Sequence, residues 1–459
     1  MTPLICLAVL GIVILYLGFL KNNKVLLPSI ICGLFIVLFF TIINWNNPII
    51  YFNNMMLIDN YSIAFSSLII ISSILIFLFA GQYFKGVTNY VAEIYTLMLF
   101  SLFGALLMTS FSNLIMLFLG IEIMTIPLYL LAGSKKFSIR SNEASFKYFV
   151  MGSFATAIFL LGVVLVYGAS GSFQLSAINE YCTSGKTEIP MFFNLGILLL
   201  LVGMSFKVAA APFHFWAPDV YEGSPTLVTA FMATVVKTAG LAAFYKLFIT
   251  AFSPMSYQWK PVLIGITLFT LMIGNIGALQ QVNMKRFLAF SSIAHTGFML
   301  IAIVATNILS PKAVLFYSIA YTLATITFFG ILILVKNYKG GDGSFSAFDG
   351  LAKNNPYFAL MMLFAMISLA GIPITAGFFA KYYIFITAVK AGYTWLVVAA
   401  VVFALIGIYN YFRVVQAIFS KDGDFPSITC NIPYSIALII TTVFTIILGL
   451  VPMWLMNLI

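Results

Sequence analysis

The 459-residue chain is 63% hydrophobic and only 7% charged, with a mean hydropathy of +1.11. Soluble domains carry about 25% charged residues, so these figures exclude a soluble globule and indicate a protein that crosses a membrane many times. The net charge of +10 would suit nucleic acid, but the basic residues sort by membrane side instead, which argues against a nucleic-acid partner and for the lipid bilayer.

Residues 1–20 carry no Lys or Arg. A cleaved leader needs a positively charged start, so this stretch reads as a first transmembrane helix with its N-terminus outside. Hydropathy places seven spans in the first half, at roughly 4–20, 25–44, 62–84, 92–110, 113–132, 146–169 and 193–210. Seven more fall at roughly 225–250, 260–280, 285–306, 313–335, 356–389, 393–419 and 434–457. The seventh runs into Pro212, with Pro218 and Pro225 beyond it. The twelfth is too long for one straight crossing and contains Gly371-Ile372-Pro373. Proline removes a backbone donor and interrupts a helix. In a bilayer such a break survives only where protein or a water-filled cavity satisfies the freed groups.

Of the 22 Lys and Arg residues, five fall outside (Lys186, Lys246, Lys260, Lys312 and Lys390) and three lie within spans (Lys207, Lys237 and Lys381). The remaining fourteen, Lys21 and Lys421 among them, face the cytoplasm. This bias supports the span count and puts both termini outside, the 133–147 loop inside and the 171–191 loop outside. Broken spans seven and twelve stand five spans apart, and an odd separation turns the second copy upside down. The fold class is thus an all-α polytopic membrane protein of about fourteen transmembrane helices. Residues 1–459 form a single membrane domain, with inverted five-helix repeats over 91–255 and 256–420.

Glu122, Lys207, Lys237 and Lys381 sit well inside spans, and His295 is similarly deep. At about 1.5 Å per residue, Glu122 lies roughly 14 Å into its helix, Lys237 roughly 18 Å and His295 roughly 15 Å, near the middle of the bilayer. Each central charge costs roughly 2.5–3.5 kcal/mol, so pairing, hydration or neutralisation is required, and such residues mark proton paths. Glu122 reads as an acid that pairs with Lys207 and sets its proton affinity. Lys207 and Lys237 read as the main transfer residues, and Lys381 follows the second break. His295 suits proton relay, with Ser291, Ser292 and Thr296 beside it to hold water. His214 reads as structural. Asp219 and Glu222 read as caps for the helix that starts near Pro225.

The four cysteines, Cys6, Cys32, Cys182 and Cys430, form no C-x-x-C pair, and no phosphate loop or dinucleotide fingerprint is present. The chain is therefore expected to hold no metal, no cofactor and no redox centre.

Three stretches stand out: FKVAAAPFHFWAPDVYEGSPTLVTAF with VVKTAG, then NMKRFLAFSSIAHTGFML, then AGIPITAGFFAKYYIF. Through them, and over nearly the whole chain, the sequence resembles the subunit N family of proton-translocating NADH–quinone oxidoreductase (respiratory complex I), one of its antiporter-like subunits. The resemblance implies about fourteen helices, inverted repeats, two broken helices and a row of buried charges across the membrane plane. It makes Glu122 the fifth-helix glutamate, Lys207 the seventh-helix lysine, Lys237 the eighth-helix lysine and Lys381 the twelfth-helix lysine. The neighbouring subunit M typically has glutamate at that last position. The chain also ends after span fourteen, without the lateral helix typical of subunit L. His295 occupies a position where family members often have histidine.

The resemblance further implies a bacterial inner membrane, with subunit M and small membrane subunits as partners. NADH, flavin, iron–sulfur clusters and quinone would belong to partner subunits. On this reading a proton passes from Lys207 through Lys237 and the region of His295 to Lys381. Three rivals stay open: a multisubunit cation/proton antiporter, a membrane hydrogenase using the same module, and a non-conducting scaffold.

Overall fold

A computed structural model describes residues 1–19, 23–85, 90–183, 189–420 and 425–458. Lys21, Lys186 and Lys421, used for the orientation, lie outside the described residues, as does part of the 171–191 loop. Helices α1 (Thr2–Gly18) and α2 (Asn23–Ile42) lead to a hairpin of β1 (Ile49–Tyr51) and β2 (Met56–Ile58). Then come α3 (Asn60–Tyr83), α4 (Val91–Ser110), α5 (Leu114–Ala132), α6 (Ile139–Ser170) and the short α7 (Leu175–Thr183). The first broken span is α8 (Met191–Lys207) with α9 (Trp216–Gly223). The next crossing joins α10 (Thr226–Phe231) to α11 (Lys237–Thr250) through a π-helical turn, Met232–Val236. After it run α12 (Ser256–Leu279), α13 (Met284–Ala305), α14 (Ser310–Tyr338) and the single-turn α15 (Leu351–Asn354). The second broken span is α16 (Pro356–Ala370) with α17 (Ala376–Lys390), followed by α18 (Thr394–Ile418), α19 (Ile432–Leu450) and α20 (Pro452–Leu458).

Among the described residues, eleven of these crossings are long and apolar enough to span a bilayer, and α1, α8 and α16 are the shorter apolar helices. The fourteen expected spans are all present. Two boundaries are corrected: the sixth expected span, 146–169, begins at Ile139, behind the Ser138 cap, and the last, 434–457, ends at Leu450, because Pro452 cannot continue its hydrogen-bond ladder and starts α20 instead. The crossing from Thr226 to Thr250 is buried from Thr226 to Phe248, whereas α2 and α18 turn most of their surface outward, as lipid-facing helices do.

The two helix breaks are satisfied by protein groups. After α8, Ala209 turns to positive φ. The Val208 carbonyl accepts from Thr296 Oγ1 at 2.9 Å, and the Ala211 N–H donates to Thr270 Oγ1 at 2.9 Å. After α16, Gly371 adopts φ 82°, where a side chain would be strained and would also collide with Lys381. Lys381 Nζ donates to the last carbonyl of α16, Ala370 O, at 2.7 Å. A cation there also suits the negative end of the helix dipole.

A repeated pattern is visible in the backbone. Asn113, before α5, pairs with Gln174, and Asn283, before α13, pairs with Ser344. Both asparagines cap their helix through the side chain, accepting from Ile115 N–H and Lys285 N–H. Gly104 of α4 packs on the Met124 backbone, and Gly274 of α12 on the Ala294 backbone, each too closely for a Cβ. All five pairs of equivalent residues are separated by the same number of positions. The Asn113 loop lies on the hairpin face of the bundle. By alternation of the crossings, the Asn283 loop lies on the opposite face.

Candidate functional site

Lys237 begins α11 directly after the π turn, and no residue pattern in the sequence announced that turn. Insertions of this kind re-aim side chains and recur at functional sites. Lys237 is 5% exposed. Its Nζ donates to the Ser292 carbonyl and, at 2.5 Å, to Ser292 Oγ, and it stands 5.3 Å from the centre of the Tyr321 ring. Tyr321 Oη donates to the same Ser292 hydroxyl at 3.0 Å. Among the described residues no carboxylate lies within 4 Å of Lys237.

One turn along α13, His295 is equally buried. Its Nδ1 is 2.7 Å from Tyr317 Oη and its Nε2 3.0 Å from Tyr411 Oη. Tyr411 Oη in turn lies 2.5 Å from Ser291 Oγ. Lys381 Nζ stands 4.9 Å over the Phe298 ring. Phe298, like Ser292 and His295, belongs to α13. The structure thus gathers Lys237, His295 and Lys381 around α13, and adds Ser292, Tyr317, Tyr321 and Tyr411. Sequence reading missed the tyrosines. Tyr317 and Tyr321, four apart in an apolar span, were the available signal, since buried tyrosine hydroxyls need partners.

Lys207 ends α8 at the first break and is half-buried, with its stem beside Gly240 of α11. The contact pair expected between Lys207 and Glu122 is not formed: among the described residues no ion pair within 4 Å joins them. Glu122 Oε1 is buried with no hydrogen-bond partner among the described residues.

The expected capping role of Asp219 and Glu222 is also corrected, since the helix start at Pro225 has no side-chain cap. Asp219 accepts from Lys147 of α6 at 2.8 Å and from Arg286 of α13 at 2.7 Å. Glu222 accepts from Arg286 at 3.2 Å. Two basic side chains stand closer than the helix N-terminus and win the carboxylates. Burial works against the charged form of Asp219, but the hydrogen bonds from Lys147 and Arg286 outweigh it and hold the carboxyl below the usual carboxylate range. A lowered folded-state pKa stabilises at neutral pH, and that stabilisation is lost as pH falls through the folded-state value. Asp219→Asn is therefore expected to lower the melting temperature of the purified protein at pH 7 and to lower it less at pH 3. An equal loss at both values would contradict this role. His214 is buried at the first break beside Phe215.

Two lysines counted as loop cations are buried as well. Lys246 donates to Thr109 O at 3.2 Å, and Lys285 to Ser224 O at 2.6 Å. Each lies near a helix end covered by neighbouring helices, which span counting does not detect.

Two interrupted helices around a central row of buried lysine, histidine and hydroxyl groups define the class of antiporter-like membrane subunits. The family model described as NADH:quinone oxidoreductase/Mrp antiporter, TM matches residues 111–407. NADH-quinone oxidoreductase subunit N of Cytophaga hutchinsonii is 41% identical over 457 residues, covering 98% of each chain. That of Flavobacterium psychrophilum is 38% identical over 453 residues, again 98% of each. A chain of respiratory complex I from Thermus thermophilus with bound aureothin superposes with TM-score 0.85 at 33% identity, over 98% of this chain and 97% of that one. The Mrp complex of Dietzia sp. DQ12-45-1b shares the fold, with TM-score 0.86 at 19% identity over 99% and 96%. The chain belongs to the NADH:quinone oxidoreductase/Mrp antiporter family, and within it to the subunit N family of NADH-quinone oxidoreductase.

Proposed function

We propose that this chain is a proton-translocating membrane subunit of NADH–quinone oxidoreductase, with Glu122, Lys207, Lys237, His295 and Lys381 as its proton-transfer residues. The observation that carries the reading is the buried polar row about α13, where Lys237, Ser292, Tyr321, His295 and Lys381 meet between the two helix breaks. Quinone reduction in partner subunits supplies the driving change, which reaches Lys207 through the field of Glu122. The proton then moves by Lys237 and His295 to Lys381. NADH, flavin, iron–sulfur clusters and quinone are held by partner subunits, and in the membrane the chain packs beside the neighbouring antiporter-like subunit M and small membrane subunits. The matching loop pairs support inverted repeats over 91–255 and 256–420.

Proton pumping by the purified complex in sodium-free vesicles tests the reading. Undiminished pumping is expected, and an absolute sodium requirement would favour the cation antiporter instead. The chain lies in the bacterial inner membrane with both termini outside. In a variant lacking the four native cysteines, an impermeant thiol reagent should reach a cysteine at Ser134 only from the cytoplasm and one at Asn54 only from outside. Labelling of Ser134 from outside would reverse the orientation.

A further inference from the structure

We propose that Tyr411 and Tyr317 are proton-relay residues, forming with Ser291 and His295 a hydrogen-bonded wire that carries protons between Lys237 and Lys381 by tautomer exchange of the imidazole. The inference rests on the proton-translocating reading above.

The wire is continuous in distance: Ser291 Oγ to Tyr411 Oη 2.5 Å, Tyr411 Oη to His295 Nε2 3.0 Å, and His295 Nδ1 to Tyr317 Oη 2.7 Å. All four residues are buried. A neutral imidazole donates from one nitrogen and accepts at the other, so one tyrosine must donate to the ring and the other must accept from it. The four groups can therefore all point one way along the wire.

Each end of the wire lies beside a lysine's partner rather than on the lysine itself. Ser291 adjoins Ser292, which accepts from Lys237. Tyr317 stacks on Phe298, the ring over which Lys381 stands. Tyr411 is held firmly. Its neighbour Asn410 donates to Asn275 O at 2.8 Å, and Arg413 donates to Gln281 O at 3.0 Å. These bonds pin α18 to α12, although most of α18 faces outward.

Transfer is balanced at every step. A proton bound at Ser291 Oγ displaces that hydroxyl's hydrogen to Tyr411, and Tyr411 passes its own to Nε2. Nδ1 then releases its hydrogen to Tyr317, whose hydroxyl hydrogen leaves on the Lys381 side. Each hop breaks one O–H or N–H bond and forms the next, so one proton crosses and no other bond changes.

The test uses the complete complex, purified from membranes and reconstituted in vesicles. Tyr411→Phe keeps the ring and removes only the hydroxyl. Assembly should be normal, pumping-coupled quinone reduction should fall about 10²-fold, and the solvent deuterium isotope effect on turnover should rise. His295→Gln still offers the tyrosines a donor and an acceptor but cannot bind a proton on one atom and release it from another, so it should fail similarly. Wild-type pumping by Tyr411→Phe, or a slowed rate with an unchanged isotope effect, overturns the wire. Should Tyr411→Phe not assemble, Tyr317→Phe decides by the same two criteria. Lys237→Met is measured alongside. If it is impaired while the tyrosine variants are normal, only the wire falls. If it too pumps normally, the functional reading falls with it.

Discussion

Lys237→Met is expected to cut proton pumping and coupled quinone reduction by about 10²-fold, the scale of a missing acid–base group, while the complex still assembles. Methionine fills the space of the lysine stem and leaves no buried charge behind. The Ser292 hydroxyl that accepted from Nζ retains its contact with Tyr321. Lys237→Arg is the sharper variant, because it preserves charge while the guanidinium stays protonated throughout. A residue that must release and regain its proton cannot tolerate that change, so Arg should fail as Met does. The measurement is dye-reported acidification of vesicles alongside NADH-driven quinone reduction. Normal pumping by Lys237→Arg would exclude proton exchange at this position.

Lys207→Met should abolish pumping to a similar degree, and Glu122→Gln should lower it by a smaller factor. The geometry sets how the two combine. No ion pair within 4 Å joins them among the described residues, so neither substitution strands a contact partner. Their effects on assembly should add to within about 0.3–0.5 kcal/mol, as for independent sites. Their effects on pumping should not add, because either loss interrupts the same row. A double-mutant cycle on assembly, with pumping measured in parallel, separates the two cases. An assembly coupling above about 1 kcal/mol would mean that the pair closes into contact inside the complex, and the through-space role of Glu122 would be dropped.

Much of this was legible from residue order. Long apolar runs fixed the crossings, since a bilayer demands about 20 apolar residues and tolerates few charges. Pro212 and Gly371-Ile372-Pro373 marked both breaks, because their backbone effects are local. The intramembrane ionisable residues stood out for the same reason. What remained hidden depends on how helices pack. Whether Glu122 touches Lys207 is a question of helix rotation, which composition does not encode. Asp219 was read as a cap because a cap is a local partner, yet Lys147 and Arg286 reach it from helices distant in sequence. The tyrosines around His295 come from α14 and α18 and converge only in the folded bundle. Pro452, by contrast, is visible in the sequence, and its missing backbone donor ends the last span.

The most direct test of proton translocation by this chain is the pumping of a complex carrying Lys207→Met and Lys237→Met together, measured in sealed vesicles under NADH. The complex should assemble, oxidise NADH with an artificial electron acceptor at the normal rate, and fail to acidify the vesicles. Acidification at the wild-type rate would contradict the account and leave this subunit a scaffold.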